Sequence, residues 1–172
     1  MTLEDETESP AYDLRVPTAT FVAEIVLADG EALRGRFFVP SHTSLHPGPM
    51  RPDERLNDDA DFFPFLPSDS SEPVILNKRQ VAWVTFDTRS FPTSDDEESV
   101  ETLLPEHRVA VDCRGQRLEG ALVIDLPGYK SRVLDRLNHP ERFLRIKNGT
   151  LLHYVSRDHI SKVVETTTKR GA

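Results

Sequence analysis

One order of features is written twice along this chain, and a repeated order of this length requires the same structural unit to form twice. Gly-x-x-Leu-x-Gly occurs at Gly30, Leu33 and Gly35 and again at Gly115, Leu118 and Gly120. A Pro-Gly pair follows, Pro47-Gly48 and then Pro127-Gly128, and after it an acid leads into "RLN" at Glu54 to Asn57 and at Asp135 to Asn138. An apolar group closes the pattern: Phe62, Phe63 and Phe65 correspond to Phe143, Leu144 and Ile146, and Leu76 and Val81 correspond to Val155 and Ile160.

Within each copy the local signals are those of strands. "FVAEIVLADGEALRGRFFV" is two β-rich runs around a hairpin turn at "ADGE", and "HRVAVDCRGQRLEGALVID" repeats the arrangement. Inward residues of a strand keep period two. A first turn one residue shorter in the second copy then sets Phe21, Ala23, Ile25 and Leu27 opposite His107, Val109, Val111 and Cys113. The segment "SRVLDRLN" predicts a helix with Val133, Leu134 and Leu137 on one side, and Pro52 starts a shorter helix in copy one. Asn57 and Asn138 are expected to cap these helices, Asn138 in the left-handed conformation. "KNGT" predicts a hairpin with Asn148-Gly149 as its loop.

The expected fold is therefore mainly β: two tandem five-stranded antiparallel small β-barrels, each with one short helix between strands 2 and 3. Residues 1–18 are expected to be a disordered acidic tail, 19–88 and 107–166 the two barrels, and 167–172 a second disordered tail. Residues 89–106 form an acidic linker, in which Ser94 and Glu97 make a capping box ahead of Val100, Leu103 and Leu104. A short helix is predicted there.

Charge divides the copies. The net charge is −8, yet 21–86 carries ten acids and six bases while 108–172 carries seven acids and thirteen bases. The acidic start and the absence of a long apolar run give no signal peptide or spanning segment, and Cys113 has no second cysteine to pair with. A reducing cytoplasm is the expected location.

Catalytic signatures are missing from the sequence. His42 and His46 have the spacing of a metal pair, but Pro40, Pro47 and Pro49 place them in a loop. His153 and His159 stand where copy one has Val74 and Gln80, so they are not a repeated ligand set. Cys113 is expected in the core as a small hydrophobe. The glycines of the repeat sit in hairpins and not at a helix start, which excludes a phosphate loop. These residues predict a protein that is not an enzyme and takes no cofactor or metal.

A Gly-containing second strand among five short antiparallel strands resembles the Sm-like small barrels. In that family the fourth turn typically reads Arg-Gly and contributes to an RNA pocket, whereas the matching residues here are "NKRQV" (Asn77 to Val81) and "SRDHI" (Ser156 to Ile160). The helix also falls inside each copy and not before it. Each copy is similar to an uncharacterised bacterial domain with a strand bearing "DG", then "RL-x-D-x-LN", "FL" and a final "NRxxI". This resemblance implies a barrel and no known activity. The spaced arginines and Asp/Asn-x-Ser-x-x-Gly of cyclic-dinucleotide binders occur in neither copy.

The leading functional expectation is an interaction or assembly protein, an adaptor or scaffold, that uses exposed strand edges to bind a protein partner or itself. Unlike charges on the two copies favour a head-to-tail contact weakened by salt. Arg55, Arg136, Arg132, Arg142, Arg145, Lys78 and Arg157 are the expected partner-binding residues. The alternative is nucleic-acid binding by the basic second copy, through residues such as Arg114, Arg117, Lys130 and Lys147. Small-ligand or second-messenger sensing in a pocket between the copies is a third reading.

Overall fold

A computed structural model of the protein describes residues 17–91, 106–124, 126–128 and 132–166. The expected acidic tail up to residue 16, the helix expected at Ser94 to Leu104 and the chain from 167 onward lie outside the described residues. Copy one comprises strands β1 (Thr18–Leu27) and β2 (Ala32–Pro40), helix α1 (Pro52–Asn57), and strands β3 (Phe62–Pro67), β4 (Val74–Asn77) and β5 (Val81–Asp87). Copy two comprises β6 (Glu106–Cys113), β7 (Gln116–Val123), helix α2 (Val133–Leu137), β8 (Phe143–Asn148), β9 (Leu151–Ser156) and β10 (Ile160–Glu165). The five strands per copy and the helix between the second and third are thus where the repeat puts them.

All ten strands belong to one antiparallel sheet, in the order β10, β6, β7, β8, β9, β5, β1, β2, β3, β4. Each copy contributes the same internal order, fifth strand, first, second, third, fourth. The fold differs from two separate closed barrels: the sheet is open, and a ladder from Trp83 opposite Val155 to Asp87 opposite Leu151 joins β5 to β9. Thr88 continues this joint by donating its amide to the Thr150 carbonyl at 2.8 Å.

Two hydrophobic cores explain the joint. One gathers Phe21, Ile25, Phe37, Phe63, Phe65 and Phe86, and the other Val109, Val111, Cys113, Leu122, Ile124 and Ile146. In β1, Phe21, Ala23 and Ile25 are buried while Thr20 and Val22 face outward, the alternation of a strand with one covered face. The central strands lose that alternation. Val84 and Phe86 of β5 face the first core and Ala82 and Trp83 the second, while in β9 Leu152 and Tyr154 face the first and Val155 the second. β5 and β9 are buried on both faces because a core lies on each side of them.

The expected register holds at the first hairpins. Leu27 donates to Glu31 across a loop of Ala28, Asp29 and Gly30, while Cys113 pairs with Gln116 across Arg114 and Gly115, one residue fewer. The last glycine of each Gly-x-x-Leu-x-Gly is required by the close approach of two backbones. A Cβ on Gly35 would lie 2.0 Å from the Leu66 carbonyl oxygen, and one on Gly120 would lie 2.5 Å from that of Lys147. Both glycines let the third strand press against the second.

Three local expectations are corrected. The hairpin between β8 and β9 pairs Asn148 with Leu151, so its loop is Gly149-Thr150 and not Asn148-Gly149; Gly149, with φ of 59°, takes the first loop position, which suits glycine. Asn138 ends α2 with φ of −88° and is not left-handed. Leu134 points outward at 60% exposure, while Val133 is buried and Leu137 packs on the second core, because a helix of only five residues has one narrow buried stripe.

Candidate functional site

The repeated "RLN" builds the same joint in both copies. The acid before it receives the amide that opens the helix: Arg51 donates to Glu54 at 2.7 Å, and Arg132 donates to Asp135 at 3.3 Å. The cation in the turn between the fourth and fifth strands then reaches back to the carbonyl just after the asparagine. Lys78 Nζ donates to the Asp58 carbonyl at 3.2 Å, and Arg157 donates to the His139 carbonyl. The backbone repeats this link, Lys78 N to Asp61 O at 2.8 Å and Arg157 N to Arg142 O at 3.0 Å. One latch, written twice, holds the fourth-to-fifth-strand turn against the helix end.

The side chains of the latch have diverged. Lys78 is completely buried, and its ammonium also meets the Asp58 carboxylate at 2.6 Å, which Arg55 flanks at 2.7 Å. Burial pushes the Lys78 pKa below its ordinary value, against the pull of Asp58. For Asp58 burial alone would raise the pKa, but hydrogen bonds from Lys78, Arg55 and the Ala60 amide outweigh it and hold the carboxyl below its usual range. In copy two Arg136 pairs with Glu141, and Arg132 lies outermost of the expected partner residues, paired with Asp135 at 3.0 Å.

Between the copies the joint is polar at its rim and apolar at its centre. Arg142 of copy two pairs with Asp61 of copy one at 3.0 Å, and the Phe143 amide donates to the Asn57 side chain at 2.9 Å. Asn57 is therefore a bridge to the second copy, where the sequence suggested a helix cap. His159 approaches the Arg79 carbonyl at 2.7 Å. At the centre Phe143, Leu152 and Tyr154 enter the first core although they belong to the second copy, Tyr154 meeting Phe86 edge to face at 5.7 Å. Arg145 lies close enough to Asp53 to oppose the upward pull of burial on that carboxyl.

Two histidines respond to pH in opposite senses. His153 is buried across the joint from Thr85, with 2.8 Å between Nδ1 and the hydroxyl, and burial lowers its pKa. The unfolded chain binds this proton more readily, so the stability His153 contributes is present above about pH 6.5 and lost as pH falls from there through the lowered value. His46 places Nδ1 at 3.0 Å from the Pro47 carbonyl and Nε2 at 2.9 Å from Glu54. Two acceptors favour a doubly protonated ring, and the Pro47 and Glu54 hydrogen bonds raise the pKa. Its contribution is present below about pH 6.5 and lost as pH rises through the raised value. Urea denaturation across pH should show His153→Gln flattening the loss on the acidic side and His46→Gln flattening the loss on the basic side. Equal profiles for both variants and the parent would contradict the assignments.

Cys113 lies in the second core with its thiol toward the Ala82 carbonyl, and burial pushes its pKa up to about 11. It should resist alkylation in the folded chain and react only as the protein unfolds; stoichiometric labelling under native conditions would show that the strand is open. His42 bonds to Ser41 and His46 to Glu54, and among the described residues no three His, Cys, Asp or Glu side chains converge as metal ligands. No described helix is long and apolar enough to cross a membrane.

Two of the cations expected to contact nucleic acid make internal contacts. Arg114 donates to the Ala28 carbonyl at 2.8 Å and Arg117 pairs with Asp112 at 2.7 Å. An open depression of about 560 Å³ lies where the copies meet, lined by Leu27, Asp29, Trp83, Arg114 and Gln116 among others. The chain matches no protein-family model, no curated protein and no solved structure.

The sheet ends are the remaining feature. β4 at one end and β10 at the other each pair on one side only. They expose apolar side chains: Val74 at 37%, Ile75 at 74% and Val164 at 43%, with Phe62 of β3 at 54% beside β4. Sequence reading missed these residues, because "PVIL" and "ISKVVE" look like ordinary half-buried strands. The repeat held the signal, since Phe62 corresponds to buried Phe143 and Ile75 to buried Tyr154.

Proposed function

We propose that the protein is a non-enzymatic interaction and assembly component of the cytoplasm, an adaptor or scaffold built from two homologous, barrel-like Sm-resembling units at 19–88 and 107–166. The observation that carries this reading is an open sheet with an unpaired, partly apolar strand at each end. Such edges recruit a partner's strand through backbone hydrogen bonds, and exposed side chains beside them set the specificity. The same order of five strands in each copy and a core for each support the two-unit description. Arg132 is the member of the arginine and lysine set placed best to meet a partner, while Lys78, Arg136 and Arg157 serve the latch.

The test is capture from an extract of the native source on the immobilised chain. Proteins retained by the parent and by the surface control Arg34→Gln should be lost with the combined Ile75→Arg and Val164→Arg chain. Retention unchanged by the edge substitutions, or no retention by the parent, would count against the proposal.

A further inference from the structure

We infer that the partner of these edges is a second copy of this chain, joined head to tail by repeating the contact that β5 makes with β9. The inference rests on the interaction reading above and names its partner. In the joint within the chain, the fifth strand of one copy pairs with the fourth strand of the other. The sheet ends are the two strands left over: β10 is the fifth strand of copy two, and β4 is the fourth strand of copy one. One chain's β10 and another's β4 are therefore the same kind of pair, and each chain keeps a further end free.

The repeat gives the register. Val84, Thr85 and Phe86 correspond to Val163, Val164 and Glu165, and His153 and Tyr154 correspond to Val74 and Ile75. Val84 opposite Tyr154 becomes Val163 opposite Ile75, and Thr85 opposite His153 becomes Val164 opposite Val74. The polar pair within the chain is replaced on both sides by valine. The two copies differ at both positions of the pair, and the result is an apolar match between surfaces that are otherwise in water. Phe62 occupies the place of Phe143, which is 1% exposed because the neighbouring copy covers it. A second chain would cover Phe62 in the same way.

The polar rim is reproduced as well. Asn138 corresponds to Asn57 and would accept from the Phe62 amide as Asn57 accepts from that of Phe143. Asp61 and Arg142 occupy equivalent positions, so acid and base alternate from copy to copy, and Arg142 of one chain meets Asp61 of the next. A heterologous contact of this kind generates a closed ring or an open filament.

Sedimentation velocity at low salt distinguishes this arrangement from others. The parent should form species larger than a dimer, and higher salt should weaken them. Ile75→Arg removes the β4 edge and Val164→Arg removes the β10 edge, so each variant alone should sediment as a monomer. Their equimolar mixture retains one intact edge of each kind and should sediment as a dimer. Should either arginine variant lose its native circular-dichroism spectrum, Val74→Lys and Val164→Lys carry the same comparison. A monomeric parent, a variant that assembles like the parent, or a mixture that stays monomeric would overturn the inference. If the parent is monomeric but extract capture still depends on the two edges, the partner is a different protein and the interaction reading stands.

Discussion

Replacing Asp58 with alanine should destabilise the chain by about 3 kcal/mol, near the lower end of what breaking a buried ion pair costs. Lys78 has no exposed surface, so its ammonium would keep only the Asp58 carbonyl as a described partner. The loss stays at the lower end because the Asp58 side chain is about a quarter exposed and water already screens the pair. Adding Lys78→Met to Asp58→Ala removes the uncompensated charge and should recover a large part of the loss, as removal of both members of a buried pair is often close to neutral. Urea denaturation of the two single variants and the pair checks this. Equal losses for Asp58→Ala alone and with Lys78→Met would mean that the lysine is not held as described.

Phe86→Ala should be as damaging or more so, costing about 3–5 kcal/mol for a fully buried ring. Phe86 has no exposed surface and meets Phe37 at 5.4 Å and Tyr154 at 5.7 Å, both nearly perpendicular to it. One substitution thus removes packing within copy one and between the copies. Trp83, two strand positions beyond Val81, faces the second core and reports on that side of the sheet. Its fluorescence and far-ultraviolet circular dichroism should shift together to lower urea. Loss of the dichroism signal with no change in the Trp83 transition would mean that the halves unfold independently.

Much of each unit can be read from local signals. Gly35 and Gly120 mark the close approach of the second and third strands, "RLN" marks the helix end, and period two places Cys113 where Leu27 stands. The joint cannot be read this way, because which edge a strand offers to another copy depends on groups far apart in sequence. "VAWVTF" and "LLHYVS" nevertheless lack the alternation seen in "TFVAEI", and a run without alternation fits a strand covered on both faces. Asn57 is ambiguous in the sequence for a related reason. Its carboxamide suits a helix cap as well as a bridge, and only the position of Phe143 from the other copy decides between them. The candidate edges are marked by a difference in burial between equivalent positions, clearest between exposed Ile75 and buried Tyr154.

The two copies share one sheet through β5 and β9, leaving β4 and β10 as its ends. Amide hydrogen exchange of the combined Ile75→Arg and Val164→Arg chain reads this joint with assembly through the edges blocked. The amides of Val84, Phe86, Leu152 and Tyr154, which face one another across the joint, should exchange only with global unfolding, and the outward amides of β4 and β10 should exchange much faster. Exchange of the β5 and β9 amides as fast as those of β4 and β10 would show that the copies are not joined there.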